Sequence, residues 1–131
     1  VAIAGVLAME PQILILDEPT AGLDPQMRKQ LITEIVELQE EFSLTIILIS
    51  HRMEEIARLS DRVFVLDNGK LTLTGTPAEV FSHYDYLTEI GLGVPEVTEV
   101  LHRIKDQGVE VDTNIFTVDQ AKNELLKAMR G

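Results

Sequence analysis

Asp17 and Glu18 are the residues of this sequence whose types and setting best suit chemistry. They follow four large apolar residues, Ile13-Leu14-Ile15-Leu16, and precede Pro19-Thr20-Ala21-Gly22-Leu23-Asp24-Pro25. An apolar run of this length reads as a strand buried on both faces, as in a parallel sheet. Nothing in such a core stabilises two ionised groups, so both carboxylates belong at its open carboxyl end, where open α/β sheets place ligands. Adjacent strand residues point to opposite sides, so the two need not compete for one role. A lone acidic pair would be a solvated strand end. Here the pair, the Pro-Thr and the Gly-Leu-Asp-Pro come in one fixed order. A second apolar run, Thr45-Ile46-Ile47-Leu48-Ile49-Ser50, ends at His51; alone it would be an ordinary histidine at the top of a strand.

The order of these residues resembles the Walker B strand, catalytic glutamate and D-loop of ATP-binding-cassette (ABC) ATPases, and His51 resembles their switch histidine. Asp61-Arg62-Val63-Phe64-Val65-Leu66-Asp67-Asn68-Gly69-Lys70 and Gly75-Thr76-Pro77-Ala78-Glu79-Val80-Phe81 look like the family's closing strands and the short helix after them. The likeness covers roughly residues 1–82. It implies an α/β fold, the C-terminal part of a P-loop NTPase parallel sheet with an antiparallel edge hairpin. A small helical extension follows.

ATP hydrolysis needs a magnesium ion bridging two phosphates, a positioned water, and donors for the charge developing on the γ-phosphate. The resemblance assigns Asp17 to Mg2+, through water, and Glu18 to orienting or deprotonating the attacking water. It assigns His51 to the γ-phosphate, where it helps hold Glu18 and the water. Ala21, Gly22, Leu23 and Asp24 match the D-loop, which crosses the dimer interface and links two nucleotide sites. Asp24 is also the N-cap before Pro25. Arg52 stands where the family commonly has Asp or Asn, a departure that bears on a local contact. His83 and His102 receive no site role, and Tyr84 and Tyr86 lie too far downstream to stack on adenine.

A Gly-x-x-x-x-Gly-Lys-Ser/Thr phosphate loop, a Q-loop and a Leu-Ser-Gly-Gly-Gln signature do not occur in these 131 residues. Val1 to Met9 look like the helix after that signature. The expectation is therefore the C-terminal half of a nucleotide-binding domain over residues 1–93, with a C-terminal helical extension over 94–131. The phosphate and adenine contacts would lie upstream, and the fragment alone should not hydrolyse ATP.

The elements that must position the site are legible in turn. A helix over Val1 to Met9 stops before Pro11. After Asp24-Pro25, Leu31, Ile32, Ile35, Val36 and Leu38 recur at helical spacing, with Glu34, Glu37, Glu40 and Glu41 opposite, as far as Phe42. This makes a strand-helix-strand unit. A further helix from Met53 to Leu59 leads to a strand over residues 62–66. Asn68-Gly69 is a type I′ hairpin signal joining 63–67 to 70–74. Thr76-Pro77-Ala78-Glu79 is a capping box with proline at the first helical position. Gly91-Leu92-Gly93-Val94-Pro95 marks a linker or a tight joint. A helix over 95–105 carries Val97, Val100, Leu101 and Ile104. Thr117-Val118-Asp119-Gln120, a second capping box, opens a helix bearing Leu125, Leu126 and Met129. Helices this short must pack on something, either the ATPase body or a partner subunit.

Net charge is −11, and residues 1–94 hold 15 acidic and 6 basic side chains against 7 and 5 in residues 95–131. Such a surface repels nucleic acid, so no nucleic-acid partner is expected. Cysteine is absent, which rules out disulfides and thiolate metal sites and suits a reducing cytosol. No apolar run reaches membrane-spanning length, and no signal peptide is visible.

The tail, Gly91 to Leu101, looks like the C-terminal extension of energy-coupling-factor transporter ATPases, prokaryotic importers of cobalt and vitamins. That resemblance implies ATP and Mg2+ as ligands of the intact protein. It also implies a second ATPase subunit, a transmembrane coupling protein and a substrate-binding membrane subunit, at the cytoplasmic face of the membrane. The alternatives are the ATPase of another ABC importer, a soluble ABC protein acting on DNA or ribosomes, and a non-catalytic interaction module.

Overall fold

The computed structural model describes residues 2–131; Val1, where the sequence starts the first helix, lies outside them. The chain divides into two compact units, one up to Ser50 and one from His51 to Gly131.

The first unit runs α1 (Ala2–Leu7), β1 (Ile13–Asp17), α2 (Pro25–Phe42) and β2 (Thr45–Ile49). α2 starts where Asp24 Oδ1 accepts the Met27 N–H at 2.8 Å, with Pro25 at the first position. It stops at Ser43, whose left-handed backbone (φ 51°) turns the following N–H, of Leu44, onto Gln39 O at 3.2 Å. β1 and β2 pair in parallel, from Ile13 opposite Thr45 to Asp17 opposite Ile49. Leu14, Leu16, Ile35 and Leu44 form the core, with Leu7, Leu31, Ile46 and Leu48 packed on it.

The expected burial on both faces is corrected here. Ile13, Ile15, Ile47 and Ile49 are 57%, 61%, 47% and 48% exposed, while Leu14 and Leu16 are buried. Side chains alternate along a strand, and among the described residues helical cover reaches only the leucine face. A continuous apolar run gives composition, not cover.

The second unit runs α3 (Met53–Leu59), β3 (Val63–Asp67), β4 (Lys70–Gly75), α4 (Pro77–Phe81), α5 (Tyr84–Glu89), α6 (Glu96–Asp106) and α7 (Val118–Arg130). Asn68 and Gly69 both have positive φ (49° and 75°), as the hairpin signal requires. β3 and β4 pair antiparallel with an irregularity that leaves Thr72 unmatched, and its hydroxyl donates to Val65 O. The capping box at Thr76 and Glu79 is complete.

Two features depart from the sequence pattern, and a third takes one of the two forms it allowed. α5 was not signalled; it is anchored by Leu87, 1% exposed. Gly91-Leu92-Gly93 is a tight joint, because Leu92 N–H and Gly93 N–H both donate to Leu87 O. At Thr117 the capping box is half formed. Its hydroxyl accepts the Gln120 N–H, but Gln120 Oε1 accepts from Phe116 N–H rather than from Thr117.

α6 and α7 pack on each other around Leu101, Val111, Ile115 and Ala121. Phe116 sets its ring 5.5 Å from that of the buried Phe81. The tail therefore has a core of its own and a seat on α4.

Candidate functional site

β1 delivers Asp17 as its last residue, exposed, at the carboxyl end of the parallel pair. Glu18 does not continue the strand. Its N–H still donates to Ile49 O at 2.8 Å, but its backbone turns left-handed, with φ 47°. The expected simple alternation of the two carboxylates is thus corrected: it ends at Asp17, and a backbone turn sets the course of Glu18. A non-glycine residue in this region costs roughly 1–3 kcal/mol, and such positions cluster at functional sites.

The turn that follows is held at each step. Ala21 N–H donates to Glu18 O, and Leu23 N–H donates to Thr20 O. Gly22 takes φ 74°, a conformation that favours glycine. Asp24 then caps α2. Two residues that the sequence did not single out belong to this turn. Thr20 is fully buried, and Arg28 reaches back one helical turn so that its Nη2 donates to Leu23 O at 3.1 Å. Arg28 lies four residues past Asp24, the spacing that puts two residues on one helix face; that spacing was the available signal.

Among the described residues, no group of three or more His, Cys, Asp or Glu side chains could hold a metal by itself. Magnesium asks less of a protein. It keeps several waters and takes one or two carboxylates together with substrate phosphates. Asp17, exposed at the strand end, fits that demand.

His51 belongs to the second unit, where it is exposed ahead of α3. Arg52 occupies the N-cap position and makes no side-chain cap bond, since a guanidinium has donors only. Its Nε instead approaches Glu55 Oε1 at 3.9 Å, and Glu55 is buried. This is the local contact that the departure at Arg52 changes. The structure gathers Asp17, Glu18 and residues 21–24 on one strand end and turn; His51 stands in the other unit.

No family model matches the chain. It is 53% identical over 127 residues to the energy-coupling factor transporter ATP-binding protein EcfA2 of Clostridium tetani, covering 97% of this chain and 44% of that protein. The EcfA2 protein of Caldanaerobacter subterraneus is 45% identical over 131 residues, covering 100% of this chain and 46% of that protein. The chain thus spans less than half the length of these relatives. Among solved structures, CbiO1 from Clostridium perfringens, described as part of the ABC transporter complex CbiONQ, superposes with a TM-score of 0.59 at 42% identity. That match covers 77% of this chain and 40% of CbiO1.

Proposed function

The chain belongs to the ABC transporter ATPases, in the energy-coupling-factor group, and on that premise we propose that it carries the hydrolytic half of an ATP-driven importer subunit. The carrying observation is the pair Asp17 and Glu18 at the carboxyl end of a parallel strand, with Glu18 in a left-handed turn. A bound magnesium ion supplies charge neutralisation on the β- and γ-phosphates. Asp17 holds that ion through water. Glu18 orients or deprotonates the attacking water, and His51 hydrogen-bonds the γ-phosphate. Ala21, Gly22, Leu23 and Asp24 form the contact through which a second ATPase subunit reads the state of this site.

The partners of this reading are that second ATPase, a transmembrane coupling protein and a membrane subunit that binds a transition-metal ion or a vitamin. The work is done at the cytoplasmic face of the membrane. Among the described residues no helix is long and apolar enough to cross a membrane. The net charge of −11 argues against a role on DNA or ribosomes.

Glu18→Gln in the intact ATPase is the direct test. It is expected to keep ATP binding and accumulate a nucleotide-bound dimer, while turnover falls on the order of 10²–10⁴-fold, the usual contribution of a general base. Turnover at the parental rate would remove Glu18 from the mechanism. The 131-residue chain alone has no phosphate loop in its sequence, so calorimetry with Mg-ATP is expected to give no measurable heat of binding. Micromolar affinity would mean a second mode of nucleotide binding.

A further inference from the structure

α6 begins badly on its own account. Its N-cap is Pro95, which makes no side-chain cap bond, and a helix leaves its first N–H groups without partners inside the helix. The first of these, Glu96 N–H, finds its acceptor 42 residues earlier in the chain: Glu54 Oε1, at 3.0 Å. The acceptor is a carboxylate facing the positive end of a helix, so charge strengthens the bond. This end of α6 is otherwise fixed. Pro95 and Thr98 are fully buried, and Thr98 Oγ1 donates to Ile115 O.

Glu54 lies in the first turn of α3, three residues after His51. The same turn grips Arg52, the residue after His51, because Arg52 O accepts both Glu55 N–H at 3.1 Å and Ile56 N–H at 3.2 Å. Glu55 and Ile56 are buried, which holds α3 in its unit. The histidine is thus joined to α3 through Arg52, and α3 is joined to the tail through Glu54.

We propose that Glu54 is a positioning residue that couples His51 to the tail helix α6, so that a shift of the histidine on γ-phosphate contact is passed to the tail. Coupling of this kind is reciprocal, so what the tail touches acts back on the placement of His51. The inference rests on the ATPase reading above and adds a route of regulation to it. A helix cap without coupling would stabilise α6 and leave turnover alone.

Two substitutions in the intact ATPase break the bond from opposite sides. Glu54→Ala removes the acceptor. Glu96→Pro removes the donated proton, since proline suits the first helical position and Pro95, at ψ 141°, already has the backbone that precedes a proline. It also removes the Glu96 carboxylate, so Glu96→Ala, which keeps the N–H, is its reference and should turn over like the parent. Each is expected to lower kcat by roughly two- to thirtyfold, the usual range for residues that couple sites without touching ligand, with KM for ATP unchanged. The double variant should fall no further than the singles, as for two partners in one bond. Glu54→Gln keeps an oxygen acceptor and should restore turnover to near the parental value. If Glu54→Ala fails to fold, Glu96→Pro and Glu54→Gln decide. Parental kcat in folded Glu96→Pro, or additive losses in the double variant, overturns the coupling. A parent protein that turns over no ATP overturns the ATPase reading and the coupling with it; an active parent with unaffected variants overturns the coupling alone.

Discussion

Glu79 shows how much one carboxylate can organise. It accepts the Thr76 N–H at 2.8 Å, while its own N–H donates to Thr76 Oγ1. The Thr76 backbone bond, then the Thr76 side chain, then the charge of Arg62 hold its pKa below the ordinary glutamate value. A carboxyl whose pKa is depressed by folding stabilises the fold above its unfolded pKa. That contribution is lost as pH falls through the lower folded value. In an NMR titration, the Thr76 amide shift is therefore expected to move with a midpoint below the ordinary glutamate value. A midpoint at the ordinary value would mean that the box is open in solution. Thr76-Pro77-Ala78-Glu79 made this arrangement legible from spacing alone. The same spacing at Thr117 and Gln120 gave only half a box, because Gln120 Oε1 found the Phe116 N–H. Spacing places two side chains on adjacent turns; which N–H the second one meets depends on the backbone before the cap. Glu18 itself stood out in the sequence, but its left-handed backbone did not, since no periodicity encodes such a residue at the end of a strand.

Among the elements, α2 was legible at its start because Asp24-Pro25 combines a cap with a fixed φ. Asp24→Ala is expected to destabilise the protein by about 1 kcal/mol, while Asp24→Asn, an equally good cap, holds stability. Thermal melts of the two variants check this, and equal losses in both would show that charge rather than capping matters. The Asn variant also separates the structural task of Asp24 from the D-loop role proposed for it, since it keeps the cap while removing the charge. α5 had no such terminal chemistry to read. Its order comes from burial of Leu87, a tertiary fact, and from two N–H groups that close on the Leu87 carbonyl just past the helix end. The joint at Gly91 and Gly93 uses its composition, since both residues take positive φ (80° and 71°), which glycine allows; that it is tight rather than open is fixed by what its N–H groups meet.

At the scale of the whole molecule, the tail stripe divides into two sets. Val97, Leu101, Ile104 and Leu125 are used by the tail itself. Val100, Leu126 and Met129 remain 50%, 41% and 83% exposed, around an open apolar groove of about 440 Å³. Hydrophobic periodicity reported the full stripe and could not apportion it, because inward and outward positions share one helix face until the second helix is placed. On the proposed reading, the exposed set is the part that would meet a second ATPase subunit. Removing residues 95–131 would also uncover Phe81, so paired charges are the cleaner probe. Val100→Glu with Met129→Glu in the intact ATPase is expected to weaken association without nucleotide while leaving the melting temperature unchanged. Sedimentation velocity measures this; undiminished association would assign the groove to another partner or to none.

The isoleucine face of β1 and β2 sets how this chain behaves as a solute. Ile13, Ile15, Ile47 and Ile49 are β-branched and about half exposed or more, on a two-stranded sheet with no third strand among the described residues. Each outer edge therefore offers hydrogen-bonding groups beside an apolar surface, the combination that recruits further strands. Mutual repulsion from a net charge of −11 opposes that recruitment at neutral pH, and salt weakens the repulsion. Near the isoelectric point of about 4.6 the repulsion vanishes while the apolar face is unchanged. The 131-residue chain is therefore expected to stay dispersed by charge alone: light scattering should rise as pH falls towards 4.6 or as salt is added, and unchanged scattering would clear the isoleucine face.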